Sequence, residues 1–413
     1  MGIPLVFARS LLRGGALVGT AALLLTLGVG AATGRPDPVQ PADDPFYSAP
    51  TDLAQHSPGA ILNRREISMF GLPLRMSTWQ LQYRTTGPDD QPIAAVATVL
   101  SAAMPWTGPG ARPLLSYQIA EDSLGTRCAP SFALHGGRDS AISSTVIETP
   151  FVLDALRRGW AVVVPDYEGP ESRFFDGVNS GRAVLDGIRA ARTFTPAGLS
   201  TASPIGAFGY SGGAFATLWA AQLRRTYAPE LPIAGISAGG VPADIATIAR
   251  NADGGAQAGL SMLIMLALIR NAPGSELAAL LNERGRAALT SESTACGIEL
   301  LSRYTTTHVD DFAKTPELLS HPLFLAAARR QELGGTAPDM PLYLYHGTSD
   351  EVVPVAGFDA LLHRYCDAKT TVLARHSSAV GHNGTAIAEA PGGMAFLADR
   401  FAGEAIEPGC RVS

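Results

Sequence analysis

The 413-residue sequence predicts an α/β chain: a mostly parallel sheet with helices on both faces, into which a helical subdomain is inserted. Two observations carry the prediction. Short, nearly all-apolar runs rich in β-branched residues alternate with segments of helical periodicity, the composition that strands buried on both faces require. Between Gly240 and Pro341 the alternation stops, and helical segments succeed one another without a convincing strand.

In chain order, residues 1–32 open with Arg9 and Arg13, continue through the apolar run Gly14–Gly30 and end on Ala31-Ala32. That order of basic, apolar and small residues predicts a signal peptide and an exported protein. The rival reading is an uncleaved anchor at the cell envelope, for which the Gly-rich run is short. Residues 33–58, rich in Pro and Asp and without periodicity, read as an extended arm. The first part of the core, 59–240, holds strand candidates Ile93–Leu100, Pro113–Gln118, Trp160–Val164, Ile205–Gly209 and Ile233–Ser237. Helices are expected over Pro150–Arg158, Asn179–Arg192 and Ala214–Thr226. The insertion, 241–340, contains Ala256–Arg270, apolar on nearly every face and therefore needing cover all round. At about 22 Å it is too short to cross a bilayer. The second part of the core, 341–413, supplies strands Leu342–Tyr345 and Thr371–Ala374 and the helix Val355–Cys366.

Composition narrows the function classes. The net charge is −6 and the Arg pairs are dispersed, so nothing calls for nucleic acid or an anionic surface as partner. Cys128, Cys296, Cys366 and Cys410 are an even set in an exported chain, which predicts disulfides with three connectivities open. No C-x-x-C or HExxH spacing occurs, and neither a metal nor a cofactor is expected.

The chemistry is carried by a serine. A hydroxyl attacks at neutral pH only with an adjacent base, an orienter for that base and donors aimed at the developing oxyanion. The G-x-S-x-G pentapeptide supplies the geometry when a strand precedes it and a helix follows. It occurs twice, around Ser211 (GYSGG) and around Ser237 (GISAG). Ser211 follows a strand and leads directly into a helix, whereas Gly239-Gly240 and Pro242 follow Ser237, so Ser211 is the predicted nucleophile. In the order Ser, acid, His, the acid is Asp350 in YHGTSDE, with Glu351 as the fallback, and the base is His382 in a loop, ahead of His376. Asp166 precedes the serine and reads as a structural carboxylate. His346 is expected to shape the acid loop. The backbone N–H of Gly212 is one predicted oxyanion donor, and the loop Ile119–Gly125 after PLLSYQ is the source of the second. These residues together predict an α/β-hydrolase.

Tyr117–Leu134, Gly159–Pro170, GYSGG, YHGTSDEVVP and GHNGTA, in this order along the chain, resemble the secretory lipase family, the α/β-hydrolases similar to fungal lipase A. The resemblance implies an extracellular triacylglycerol lipase or carboxylesterase working through an acyl-enzyme, with Ser211, Asp350 and His382 as the triad. It also implies that Asp122 in the EDS motif supplies the second oxyanion contact and that Cys128 pairs with Cys296 and Cys366 with Cys410. The insertion, which matches the family poorly, reads from its own residues either as a buried helical subdomain or as a lid whose apolar face lines an acyl-chain site. A lipid or ester is then the expected partner, with transient contact at a lipid interface, and a monomer is the expected state. The alternatives on the same fold are acyl transfer to an alcohol, peptide hydrolysis, or a non-catalytic lipid carrier.

Overall fold

The computed structural model describes residues 37–137 and 144–413, so the leader reading of 1–32 lies outside the described residues. Among the described residues, ten strands form one sheet in the order β1-β2-β3-β5-β4-β6-β7-β8-β9-β10. They are β1 (Ile61–Ile67), β2 (Met76–Thr86), β3 (Pro92–Ala102), β4 (Leu114–Gln118), β5 (Ala161–Pro165), β6 (Ile205–Tyr210), β7 (Ile233–Gly239), β8 (Leu342–Gly347), β9 (Val372–Ser377) and β10 (Cys410–Val412). From β5 to β10 every neighbouring pair is parallel; β1, β2 and β3 add an antiparallel flank. The central strands β4, β5 and β6 are buried at every residue, which is why their sequences run apolar without alternation.

The helices named here are α1 (Pro130–His135), α2 (Ser144–Arg157), α3 (Gly177–Thr193), α4 (Gly212–Tyr227), α5 (Ile245–Ala252), α6 (Ala258–Asn271), α7 (Glu283–Ser291), α8 (Gly297–Arg303), α9 (Pro322–Arg329), α10 (Val355–Asp367) and α11 (Gly381–Phe401). They cover both faces of the sheet. One core joins α3 and α4 to Leu81, Tyr83, Val99, Val163 and Ile236 and runs on into α5 and α6. The other packs Val152 of α2 and Met394 and Leu397 of α11 against Leu115, Tyr117, Val162 and Phe208. Helices α5 to α9 all lie between β7 and β8, and α6 is buried from Ala258 to Ile269 at all but one position. None of the helices among the described residues is long and apolar enough to cross a membrane.

Two elements differ from the sequence reading. Pro150 reads as the start of a helix, yet α2 begins at Ser144 and carries Pro150 inside it. His382 reads as a loop residue, yet it occupies the first turn of α11. The strands β1, β2 and β10 lie outside the strand candidates.

Cys128 is bonded to Cys296 and Cys366 to Cys410, across sequence separations of 168 and 44 residues. The first bond joins the segment after β4 to the start of α8. The double substitution Cys128→Ser, Cys296→Ser is expected to lower stability by about 2–5 kcal/mol, because it frees the longer loop in the unfolded chain. Denaturant unfolding measures it, as a lower midpoint together with a steeper slope from the less constrained unfolded chain.

The strand order also places the site. β4 lies between β5 and β6, so the chain leaves β4 on one side and returns on the other. In open parallel sheets, a crevice forms at the carboxyl ends of the strands at such a switch point. The loops after β4 and β5 and the β6–α4 turn meet there.

Candidate active site

Ser211 is the single residue between β6 and α4, with φ 55° and ψ −124°. A side chain at positive φ is strained and persists only where its surroundings dictate it. Those surroundings are tight backbone. Ser211 N–H donates to Gly239 O at 2.9 Å. A Cβ on Gly209 would stand 2.3 Å from Gly213 O, and one on Gly213 would stand 1.9 Å from Gln118 O. The two glycines are therefore required by β4 and the helix start, independently of chemistry. Ser211 itself is only partly covered.

His382 and Asp350 meet directly, Nδ1 to Oδ2 at 2.7 Å, with the Asp350 side chain fully buried. The other carboxylate oxygen, Oδ1, accepts the N–H groups of Val352 (3.0 Å) and Val353 (2.8 Å). Burial pushes the Asp350 carboxyl up. The hydrogen bond and charge of His382 and the Val353 N–H outweigh burial, and the group is held below the usual carboxylate range. As a carboxylate it accepts the Nδ1 proton, which leaves Nε2 of His382 unprotonated and able to take one. Tyr210, the residue before the elbow serine, donates its hydroxyl to His382 O at 2.6 Å, and the two rings lie 4.9 Å apart. The structure thus brings His382 to the elbow through Tyr210. A direct hydrogen bond from Ser211 Oγ to His382 is not formed in this conformation, and such contacts often tighten only with substrate in place.

The fallback residues fall elsewhere or into other roles. Glu351 Oε2 accepts the backbone N–H of His382 at 2.9 Å, so it fixes the base from behind. His376 contacts Asp359 of α10 at 2.7 Å. Ser237 is buried, and a Cβ on Gly393 of α11 would stand 2.2 Å from its Oγ. Asp166 accepts the N–H and the hydroxyl of Ser131 at the start of α1. His346 takes the Val241 N–H on Nδ1 (3.2 Å), so Nε2 carries the proton and donates it to Val353 O (2.9 Å). Burial holds this imidazole below its usual range.

Asp122 lies against the first residue of α4. A Cβ on Gly212 would stand 2.0 Å from Asp122 Oδ1, so only glycine fits opposite this carboxyl group. Oδ1 is buried and has no hydrogen-bond partner among the described residues. Burial pushes the carboxyl up to about 6, against the pull of His382. Gly212 N–H belongs to the first turn of a helix, where N–H groups have no intrahelical acceptor. The Asp122 backbone, at φ 41°, is pinned by Gly297 N–H donating to its carbonyl at 2.9 Å. Ser123 forms an isolated bridge with Cys296 beside the disulfide. Glu148, buried in α2, accepts the Ala120 N–H and the Tyr117 hydroxyl, both at 2.9 Å. Burial pushes it up to about 8. Glu148 lies in no motif, and although Tyr210 and the Tyr167-Glu168 pair fall inside quoted segments, nothing in the sequence marks their roles; only the fold brings them here.

The comparisons with known proteins give the family and the fold. The family model described as secretory lipase matches residues 136–409. A Mycobacterium tuberculosis (strain CDC 1551 / Oshkosh) protein that bears the name "Probable inactive lipase" is 36% identical, over 89% of this chain and 84% of its own length. Lipase A of Arthroderma benhamiae is 31% identical, over 91% of this chain and 83% of its own. Among solved structures, Candida antarctica lipase A in its closed state superposes with a TM-score of 0.83 at 29% identity, covering 90% of this chain and 89% of that one. The rice cell wall degrading esterase LipA of Xanthomonas oryzae shares the fold, with a TM-score of 0.65 at 16% identity, covering 84% of this chain and 98% of that one. By its sequence and its fold alike, the chain belongs to the secretory lipase family, with the mostly parallel sheet of an α/β-hydrolase.

Proposed function

We propose that this chain is an exported serine hydrolase that cleaves the carboxylic esters of acylglycerols through an acyl-Ser211 intermediate. One observation carries the reading. A partly accessible serine sits on a strained strand–helix elbow, and Tyr210 just before it donates to the backbone of a histidine whose Nδ1 is held by a buried carboxylate.

Ser211 Oγ attacks the ester carbonyl while His382 Nε2 takes its proton. The negative charge that develops on the carbonyl oxygen meets the Gly212 N–H and the protonated carboxyl group of Asp122. Burial pushes that carboxyl up to about 6, so it donates as the fraction that holds its proton, a fraction that falls as the pH rises past 6. His382 then protonates the departing alcohol. A water, deprotonated by His382, releases the fatty acid and restores Ser211. Residues 241–340 serve as the cover of the acyl side, with the segment bonded at Cys296 as its fixed edge.

Because one relative bears the name "Probable inactive lipase", turnover is the decisive measurement. A fluorophosphonate probe is expected to label Ser211, and a p-nitrophenyl ester series of increasing chain length, with and without detergent micelles, to show saturable hydrolysis. Folded protein that neither takes the label nor turns over any ester in the series refutes the reading.

A further inference from the structure

Asp122 stands between two residues fastened to the same dipeptide, and the reaction above makes no use of the carboxyl groups that do the fastening. On one side, Glu121 donates its backbone N–H to Tyr167 Oη at 2.9 Å, and its Oε2 accepts the backbone N–H of Glu168 at 3.3 Å. On the other, Ser123 donates its hydroxyl to Glu168 Oε2 at 3.0 Å and its backbone N–H to Oε1 at 3.4 Å. The loop after β5 therefore grips the loop after β4 immediately before and immediately after Asp122. Glu121 and Glu168 are 7% and 1% exposed. Burying two carboxyl groups is costly, and apolar side chains would fill the same space without that cost. The backbone they bracket is itself strained, at φ 41° in a non-glycine residue, a conformation that lasts only where neighbours over-determine it.

We propose that Glu168 is a positioning residue for the oxyanion contact: acting through Ser123, its carboxyl group holds Asp122 in the left-handed conformation that sets the Asp122 side chain against Gly212. The inference rests on the role given to Asp122 under the proposed function. Tyr167 and Glu121 complete the grip from the other side. Arg270, whose guanidinium donates to Leu124 O at 2.7 Å, faces the same carboxyl cluster. Burial and the Asp122 carboxyl push Glu168 up, so its amide isostere closely mimics the group.

The test uses the full chain and a p-nitrophenyl ester, with Glu168→Ala and Glu168→Gln made alone and in an Asp122→Ala background. Glu168→Ala is expected to lower kcat about tenfold or more, a part of what losing an oxyanion donor costs. KM should stay within about threefold, since the contact it serves is made only in the transition state. Glu168→Gln should recover most of the loss. With Asp122 already Ala, Glu168→Ala should cost nothing further, because a residue that acts through Asp122 has nothing left to position. An equal loss in both backgrounds, or no loss in either, overturns the proposal. If Glu168→Ala does not fold, Ser123→Ala cuts the same contact from its other end and is read in the same way. Failure of the hydrolase reading has a different signature: the wild type itself gives neither turnover nor label. Hydrogen exchange then decides the grip, since the Ser123 amide should exchange faster in Glu168→Ala, or in Ser123→Ala at its neighbours, and unchanged exchange overturns it.

Discussion

Ser211→Ala is expected to lower kcat by ~10⁴-fold or more on any ester the wild type hydrolyses, and to abolish fluorophosphonate labelling. The size of the effect follows from the geometry. The elbow presents one hydroxyl at the carboxyl edge of the sheet, and nothing near it can replace that nucleophile. Ser237, which carries the same pentapeptide pattern, is fully buried on β7 and faces α11. A residual rate above water should remain, since the oxyanion contacts proposed for Gly212 and Asp122 are left in place. The fold should be indifferent to the change. Alanine keeps the Cβ, so the strain at φ 55° is the same before and after, and the thermal midpoint should move by no more than a degree or two for a ΔΔG of ~0.5 kcal/mol. Initial rates and the melting curve of one preparation check both halves. Turnover within about tenfold of wild type would remove Ser211 from the nucleophile role.

The parts of the molecule that were legible in sequence are those where one physical demand fixes composition. The central strands must be apolar because helices cover both faces, and β4 to β9 were readable for that reason. The elbow was readable because its small residues answer to backbone contacts at Gln118 and Gly213. β2 was not readable, although Leu81 and Tyr83 alternate toward the core. Its other face buries Gln80 and Gln82, which look exposed in a sequence but donate to Ser131 O and Ser48 O. Thr85 likewise donates to Asp186 of α3. Hydrogen bonds made by segments distant in sequence turned polar residues into interior ones. β10 is three exposed residues, tied down by the Cys366 disulfide and by pairing with β9, and carries no hydrophobic signal. Pro150 misled because proline favours a first helical turn. Here Thr149 donates its hydroxyl to Thr145 O in the turn before it, and the helix runs through. The site divides in the same way. The triad candidates lie in local motifs, while Tyr210, Glu148 and Glu168 act through partners that only the sheet order brings close.

The second large effect is expected from Asp350→Asn: a fall in kcat of about 10³–10⁴-fold with the fold retained. The argument runs through hydrogen-bond donors. Asp350 Oδ1 takes two backbone N–H groups, from Val352 and Val353, and Oδ2 takes the Nδ1 proton of His382. An asparagine in this position has one carbonyl oxygen and one NH₂. The two backbone donors cannot face the NH₂, so the amide oxygen must turn toward them. The NH₂ then points at His382 Nδ1 and forces that nitrogen to accept. The imidazole must carry its proton on Nε2, and it can no longer take one from Ser211. Glu351 cannot restore the right tautomer, because its Oε2 is engaged with the backbone N–H of His382. Nor can His346, whose nitrogens are taken by Val241 and Val353. The substitution therefore switches the base to the wrong tautomer while leaving every side chain close to its place. Nitrogen-15 shifts of the His382 ring should show the proton moving from Nδ1 to Nε2, in step with the loss of rate. A rate within about tenfold of wild type, or a ring that keeps its Nδ1 proton, would show that Asp350 does not orient the base.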